Sequence, residues 1–216
     1  MSEQILGIDN LCVHYGHDAI IRNFSLSVAQ GECVAIVGAN GCGKTTLLRT
    51  ISGHIRPYSG YIRFLGQGIN RMSPWRRARM GLVHVLEGAH IFPSMSVEEN
   101  LRLNIRGNKA FVQDMLESIW AQFPDISDQT MRDRPASVLS GGERQMLVLA
   151  QAILLQPKLL LLDSPFLGVG ARFRNVIQKH IAEISSDPNR SVLLVDHDIP
   201  IINELAQRHV NLSKMI

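Results

Sequence analysis

The stretch GANGCGKT at residues 38–45 decides the fold, because it fits the pattern G-x-x-x-x-G-K-[ST]. It follows a short apolar run, CVAIV at residues 33–37, and precedes a segment of helical character at residues 45–53. Glycines permit positive φ and let backbone N–H groups surround phosphate oxygens, and a helix start adds unpaired donors and a positive dipole. The stretch therefore predicts a phosphate-binding loop in which Lys44 reaches the β- and γ-phosphates and Thr45 binds Mg²⁺.

Strand-like and helical segments alternate along the rest of the chain. The apolar runs at residues 159–162 and 191–195 are typical of strands buried on both faces, as in a parallel sheet between layers of helices. Residues 5–28 instead form two strand-like segments joined by a turn, which favours an antiparallel N-terminal portion. We therefore predict an α/β fold with a largely parallel sheet in a P-loop NTPase core, an N-terminal antiparallel β portion and an inserted helical lobe.

The helical lobe is expected at residues 88–140, where charged residues become more frequent and a capping box begins at Ser96. Residues 1–87 and 141–216 would then form the nucleotide-binding α/β core. The most apolar stretch, residues 146–162, is interrupted by polar side chains and Pro157, so it does not predict a membrane-spanning helix.

Composition narrows the classes of function. Hydrophobic residues make up 45% of the 216-residue chain, which is enough for a folded core. An aromatic content of 6% and a net charge of +3 argue against a surface that binds nucleic acid, so we expect no nucleic-acid partner. Three cysteines are too few and too irregularly spaced for a disulfide framework or a zinc site, which favours a reducing compartment.

Two further motifs carry chemistry. Asp163 ends the apolar run LLLLD, and the carboxyl ends of parallel strands are where open α/β sheets bind ligands. We interpret it as a carboxylate for Mg²⁺, although an Asp in this position also serves as a turn or cap residue. The segment LSGGE at residues 139–143 has the spacing of a capping box, yet two adjacent glycines weaken a helix by about 1 kcal/mol each. A cap alone would not need both, so the segment predicts a contact with phosphate.

The order of these motifs, followed by His197 after the last apolar run, resembles the ATPase subunits of ABC transporters over residues 5 to about 205. The segments VHYG, GANGCGKTT, VLEGAHIFPSMSVEENL and PFLGVGA are similar to those of branched-chain amino-acid importer ATPases. Urea importer subunits and lipopolysaccharide-export ATPases are similar as well.

The resemblance implies roles for individual residues. Tyr15 would stack on adenine and His197 would contact the γ-phosphate. Glu87 occupies a position where most of the superfamily has a Gln that touches Mg²⁺ and reports to the membrane partner. The implied nucleotide-binding residues are Tyr15, Gly38, Asn40, Gly41, Cys42, Gly43, Lys44, Thr45, Thr46, Ser140, Gly141 and Gly142, the last three acting on the opposite subunit. The implied metal-binding residues are Thr45, Glu87 and Asp163.

The resemblance also implies ATP and Mg²⁺ as cofactors. The partners would be a second ABC ATPase subunit, identical or different, and transmembrane permease subunits, with the chain in the cytoplasm on the inner face of the membrane. Ile91, Phe92 and Met95 would contact a coupling helix of the permease. The alternative is a soluble protein of the same fold that uses ATP binding as a regulatory switch without a transporter.

One position departs from the family. Ser164 stands where the family has the catalytic glutamate, and loss of a positioned general base typically costs about 10²–10⁴-fold in rate. We expect ATP binding to survive and hydrolysis to be weak, unless Asp196 or Asp198 beside His197 supplies a carboxylate. Three explanations stay open: one inactive half of a heterodimer, a binding-only regulatory protein, or a substitution introduced to trap the ATP state.

Overall fold

The short apolar runs of the sequence form the central strands of a parallel sheet. A computed structural model of the chain describes residues 3–88 and 90–212. The strands are β1 (Gln4–Tyr15), β2 (Asp18–Ala29), β3 (Cys33–Val37), β4 (Ser59–Phe64), β5 (Gln67–Gly68), β6 (Leu82–Val85), β7 (Leu159–Asp163), β8 (Ser191–Val195) and β9 (Arg208–Asn211). The helices are α1 (Lys44–Ser52), α2 (Pro74–Arg79), α3 (Val97–Arg102), α4 (Lys109–Gln122), α5 (Gln129–Arg132), α6 (Gly141–Leu154), α7 (Ala171–Ser185) and α8 (Ile199–Leu205).

The parallel sheet has the strand order β6-β7-β8-β3-β9. Successive side chains of a strand point to opposite faces of the sheet. Each central strand is buried on both faces, because an apolar cluster lies on either side of the sheet. In β7, Leu160 and Leu162 join the apolar cluster on the side of α6 and α7, whereas Leu159 and Leu161 join the cluster beneath α1. This alternation explains why the first four positions of the strand are all apolar, and the predicted fold class is confirmed.

The N-terminal strands form a second, antiparallel sheet in the order β2-β1-β4-β5. Its inward side chains, such as Phe24 and Phe64, share one buried cluster with Leu47 and Leu48 of α1. The antiparallel sheet therefore covers one side of the phosphate-loop helix, and the predicted antiparallel N-terminal portion is confirmed.

Helices α3, α4 and α5 occupy most of the stretch that we assigned to an inserted lobe. Apolar side chains of this stretch, including Leu101 and Leu116, belong to the same cluster as Leu160 of β7. The division into a core and a lobe stays a prediction, since part of its bounds, at residues 1–2, 89 and 213–216, lies outside the described residues. In the part of the chain that the structure describes, every helix is too short or too polar to cross a bilayer.

A buried polar contact joins the end of α1 to β6. The Oγ of Ser52 lies 2.9 Å from Nδ1 of His54 and 2.9 Å from Nδ1 of His84. The hydroxyl has a single proton and is also within donating distance, 3.2 Å, of the Arg49 carbonyl, so at least one of the two imidazoles must donate to Oγ. Burial, with smaller effects from His54 and Arg49, lowers the pKa of His84 from 6.5 to about 3. His84 is therefore neutral in the folded chain.

The stability of the fold should fall in acid because of His84. Below pH 6.5 the unfolded chain binds a proton that the folded chain excludes until about pH 3. Each pH unit in this window costs up to about 1.4 kcal/mol, or about 2 kcal/mol between pH 6.5 and 5. We expect His84→Gln to lose less stability than the parent over this range in urea denaturation. His17→Gln, which alters an exposed imidazole, is the control; equal acid sensitivity of His84→Gln and the parent would contradict the assignment.

Candidate functional site

The carboxyl ends of the parallel strands and the phosphate loop surround a cavity of about 340 Å³. Most of the residues that the sequence predicted for the site line it: Tyr15, Asn40, Gly41, Gly43, Lys44, Thr45, Thr46, Glu87, Ser164 and His197. Ile20 of β2 and Val195 of β8 also line the cavity. Sequence reasoning missed both, because an apolar residue in a strand carries no chemical signal.

The phosphate loop depends on a glycine at the start of α1. Gly43 has a φ of 100°, and a Cβ there would lie 2.9 Å from the side chain of Ile20. Only glycine satisfies both conditions. The Nζ of the buried Lys44 donates to the carbonyls of Gly38, at 2.8 Å, and Ala39, at 3.0 Å. This ammonium group is therefore held inside the loop, where it could meet a phosphate oxygen.

Thr45 and Asp163 meet beneath the cavity. The Oγ1 of Thr45 donates to Oδ1 of Asp163 at 3.1 Å, which joins the start of α1 to the end of β7. The other oxygen, Oδ2, is buried and has no hydrogen-bond partner among the described residues. Burial raises the pKa of the Asp163 carboxyl, the hydrogen bond from Thr45 lowers it, and the charge of Glu87 raises it. A hydroxyl beside a buried carboxylate oxygen without a partner fits the oxygen ligands that Mg²⁺ prefers.

Ser164 follows Asp163 and lies at the cavity in a strained backbone conformation. Its φ is 53°, in the left-handed region that non-glycine residues rarely adopt, and its side chain is buried. Its N–H donates to the carbonyl of Val195 at 2.7 Å, which ties the end of β7 to the end of β8. The side chain at this position is a hydroxyl, so it brings neither a negative charge nor a proton acceptor of useful basicity.

The two aspartates beside His197 are already engaged in hydrogen bonds. Oδ1 of Asp196 accepts from the backbone N–H groups of His197, at 2.6 Å, and Asp198, at 3.0 Å, and Oδ2 accepts from Phe166 N–H at 3.1 Å. Asp198 caps α8 and pairs with Arg174 at 2.6 Å. Neither carboxylate lines the cavity. They hold the segment around His197 in place and are poor candidates for the missing base.

Two residues of the loop that we predicted to bind nucleotide do not line the cavity. Gly38 lies in the loop and contributes its carbonyl to Lys44. Cys42 packs its side chain against the apolar cluster around α1. The nucleotide contact of Cys42 would therefore come from its backbone, which leaves its thiol a packing role.

The segment at residues 140–142 also lies outside the cavity of its own chain. Ser140 and Glu143 form a capping box at the start of α6. A Cβ on Gly142 would lie 2.4 Å from the ring of Phe173, so this glycine has a packing reason. Our premise that a cap would not need both glycines is wrong, since the neighbouring helix α7 requires the second one. The proposed phosphate contact of this segment has to rest on other grounds.

Comparison with known proteins identifies the family. The sequence matches the ABC transporter family over residues 21–167. The spermidine/putrescine import ATP-binding protein PotA of Legionella pneumophila is 34% identical over 199 residues, 92% of this chain and 54% of that protein. The Fe(3+) ions import ATP-binding protein FbpC of Fusobacterium nucleatum is 34% identical over 191 residues, 88% of this chain and 51% of that protein. The chain thus spans about half the length of these curated relatives.

The fold is likewise that of a known class. A nucleotide-free ATP-binding cassette from an ABC transporter has the same fold, with a TM-score of 0.81 at 23% identity over 97% of this chain and 87% of that one. The names of the sequence relatives refer to polyamines and ferric iron. They give no support to the predicted similarity to branched-chain amino-acid importers.

The strain at Ser164 should be measurable as stability. A glycine relieves a left-handed conformation and an alanine does not, so we expect Ser164→Gly to be about 1 kcal/mol more stable than Ser164→Ala. In α4 the order should invert. At the exposed Ser118, we expect Ser118→Ala to be about 1 kcal/mol more stable to unfolding than Ser118→Gly. Urea denaturation of the four variants measures both differences. An alanine at least as stable as glycine at position 164 would show that the backbone there carries no strain.

Proposed function

This chain belongs to the ABC transporter family, and we propose that it is the ATP-binding subunit of an importer. The observation that carries the proposal is the arrangement at the cavity, where Lys44, Thr45 and the buried Asp163 converge on one edge of the parallel sheet. Two sequence relatives are named as import ATP-binding proteins. Nothing in the comparisons supports the alternative of a regulatory switch without a transporter.

We assign the cavity residues to ATP and Mg²⁺. The loop amides and Lys44 would bind the phosphates, Tyr15 would stack on the base from its half-exposed position, and His197 would approach the γ-phosphate. Thr45, Asp163 and Glu87 would hold Mg²⁺, which offsets the charge of the phosphate oxygens. The buried Oδ2 of Asp163 without a hydrogen-bond partner supports this assignment most directly.

The active form would be a dimer with an identical or related subunit. Ser140, Gly141 and Gly142 do not line the cavity of their own chain, which is consistent with a role at the phosphates of a second chain. The start of α6 offers the unpaired N–H groups that such a contact needs. Closure of two chains around ATP would then be the step coupled to transport.

The permease would dock in a groove of about 670 Å³, which we call the α2–α4 groove. Exposed apolar side chains and two arginines line it: Trp75, Leu103, Phe111, Leu155, Arg79 and Arg106. An apolar floor with a basic rim suits a helix that carries apolar and acidic residues. The sequence indicated a different set of contacts, Ile91, Phe92 and Met95. Of these, Phe92 is exposed, Met95 is partly buried and Ile91 packs against the core.

The cargo belongs to the membrane and binding subunits, so this chain leaves it open. Relatives are named for the import of spermidine/putrescine, of Fe(3+) ions and of 2-aminoethylphosphonate, and we extend to this chain only the role in import. We do not propose branched-chain amino acids. The site of action would be the cytoplasmic face of the membrane.

Nucleotide binding and hydrolysis should separate in this chain. We expect the unmodified protein to bind ATP–Mg²⁺ and to hydrolyse it slowly, and we expect Ser164→Glu to raise turnover by about 10²–10⁴-fold because it supplies a base. Lys44→Ala should abolish binding by calorimetry. Fast turnover by the parent that disappears in Lys44→Ala would contradict the assigned role of Ser164, and failure of the parent to bind ATP would end the proposal.

Charge placed in the α2–α4 groove should release the chain from its permease. Leu103→Glu would replace an apolar contact of the groove with a carboxylate that repels an acidic partner helix, so we expect at least about ten-fold less of the chain in the membrane fraction, a loss of about 1.4 kcal/mol. The control is Val138→Glu, on a 63% exposed residue outside the groove. If the parent itself fractionates without membranes, the regulatory-switch alternative is favoured.

A further inference from the structure

Arg77 is buried in the middle of α2, and all of its recorded partners are backbone carbonyls. Its side chain is 1% exposed. Nη1 donates to the carbonyls of Thr50, at 2.9 Å, and Ile51, at 2.7 Å, and Nε donates to Met72 at 3.1 Å. Burial lowers the pKa of the guanidinium to about 10, so it remains charged at neutral pH.

The two closest acceptors belong to the last turn of α1. The final carbonyls of a helix have no partner within the helix and carry the negative end of its dipole. A buried cation that donates to two of these carbonyls stabilises the C-terminal end of α1 and fixes the direction in which the helix ends. Arg77 thus acts as a cap for α1 that is supplied by another helix.

Gly53 shows how closely the cap fits. This residue ends α1 with a φ of 90°, and a Cβ there would lie 2.8 Å from Nε of Arg77. The end of α1 is therefore shaped around the guanidinium. A shift of α1 along its axis would break these contacts unless α2 moved with it.

The opposite end of α1 is the phosphate loop. The helix begins at Lys44 and has nine residues, so about 13 Å separates its two ends. Helix α2 also carries Trp75, which is 56% exposed. The guanidinium carbons of Arg76 and Arg79 lie 5.4 Å and 5.3 Å from the centroid of its ring. Trp75 lines the α2–α4 groove and not the nucleotide cavity.

We infer that Arg77 is a positioning residue that joins α1 and α2 into one unit, through which nucleotide binding changes the surroundings of Trp75. The inference rests on the proposed function, since it takes ATP as the ligand of the loop. Because binding linkage is reciprocal, a partner in the groove would change the affinity for ATP by the same factor. The coupling would run along one helix and one side chain.

Trp75 itself reports the coupling. The chain has one other tryptophan, Trp120, and Trp120→Phe leaves Trp75 as the single indole. In this background we expect saturating ATP–Mg²⁺ to change the emission of Trp75. Arg77→Met removes the guanidinium and keeps the apolar stem; it should bind ATP by calorimetry while the Trp75 response is lost. Arg71→Met, the same substitution on an exposed arginine outside α2, should keep the response.

The outcomes separate cleanly. A silent Trp75 in the parent despite measured ATP binding overturns the inference and leaves the proposed function intact, as does a full response in Arg77→Met. Absence of ATP binding in the parent overturns both. If Arg77→Met does not fold, hydrogen exchange of the α2 amides in the unmodified chain decides: protection that changes with ATP–Mg²⁺ supports the inference, and unchanged protection overturns it.

Discussion

The hydrogen bond between Thr45 and Asp163 is the contact on which the functional site depends. It joins the first turn of the phosphate-loop helix to the last residue of a central strand, so that an ammonium group and a carboxylate share one edge of the sheet. The parallel sheet makes this possible, since all of its strands end at that edge. The remaining oxygen of Asp163 is buried and has no hydrogen-bond partner within residues 3–88 and 90–212, and a cation would satisfy it.

The residue proposed to bind the metal, Asp163, and the position expected to carry the catalytic base, residue 164, are adjacent in the chain. A substitution at residue 164 can therefore remove the base and leave metal binding intact. Asp163 would complete the proposed metal site, and the next residue, Ser164, stands where the resemblance implies the catalytic glutamate. The carboxylates of Asp196 and Asp198 do not make up for it, because they organise the backbone around His197. Among the residues described at the cavity surface, Glu87 carries the remaining carboxylate.

Two kinds of element could be predicted from the sequence: the apolar strands, which occur several times along the chain, and elements that a strong local motif marks. The apolar strands, the phosphate loop and the helix that follows this loop are where their patterns placed them, with bounds that differ by a residue or two. Strands β5 and β9 were missed, since each is short and lacks a distinct period. The burial of Arg77 was also beyond sequence reasoning, because its acceptors are carbonyls that only tertiary packing brings together.

The contact between Gly142 and Phe173 has a consequence for how this chain tolerates change. The two residues lie on different helices, yet the ring occupies the volume that any side chain at position 142 would need. A larger residue at 142 requires the side chain at position 173 to move or to become smaller. The two positions should therefore vary as a pair across natural variants, and redesign of either helix start has to treat both as a single steric unit.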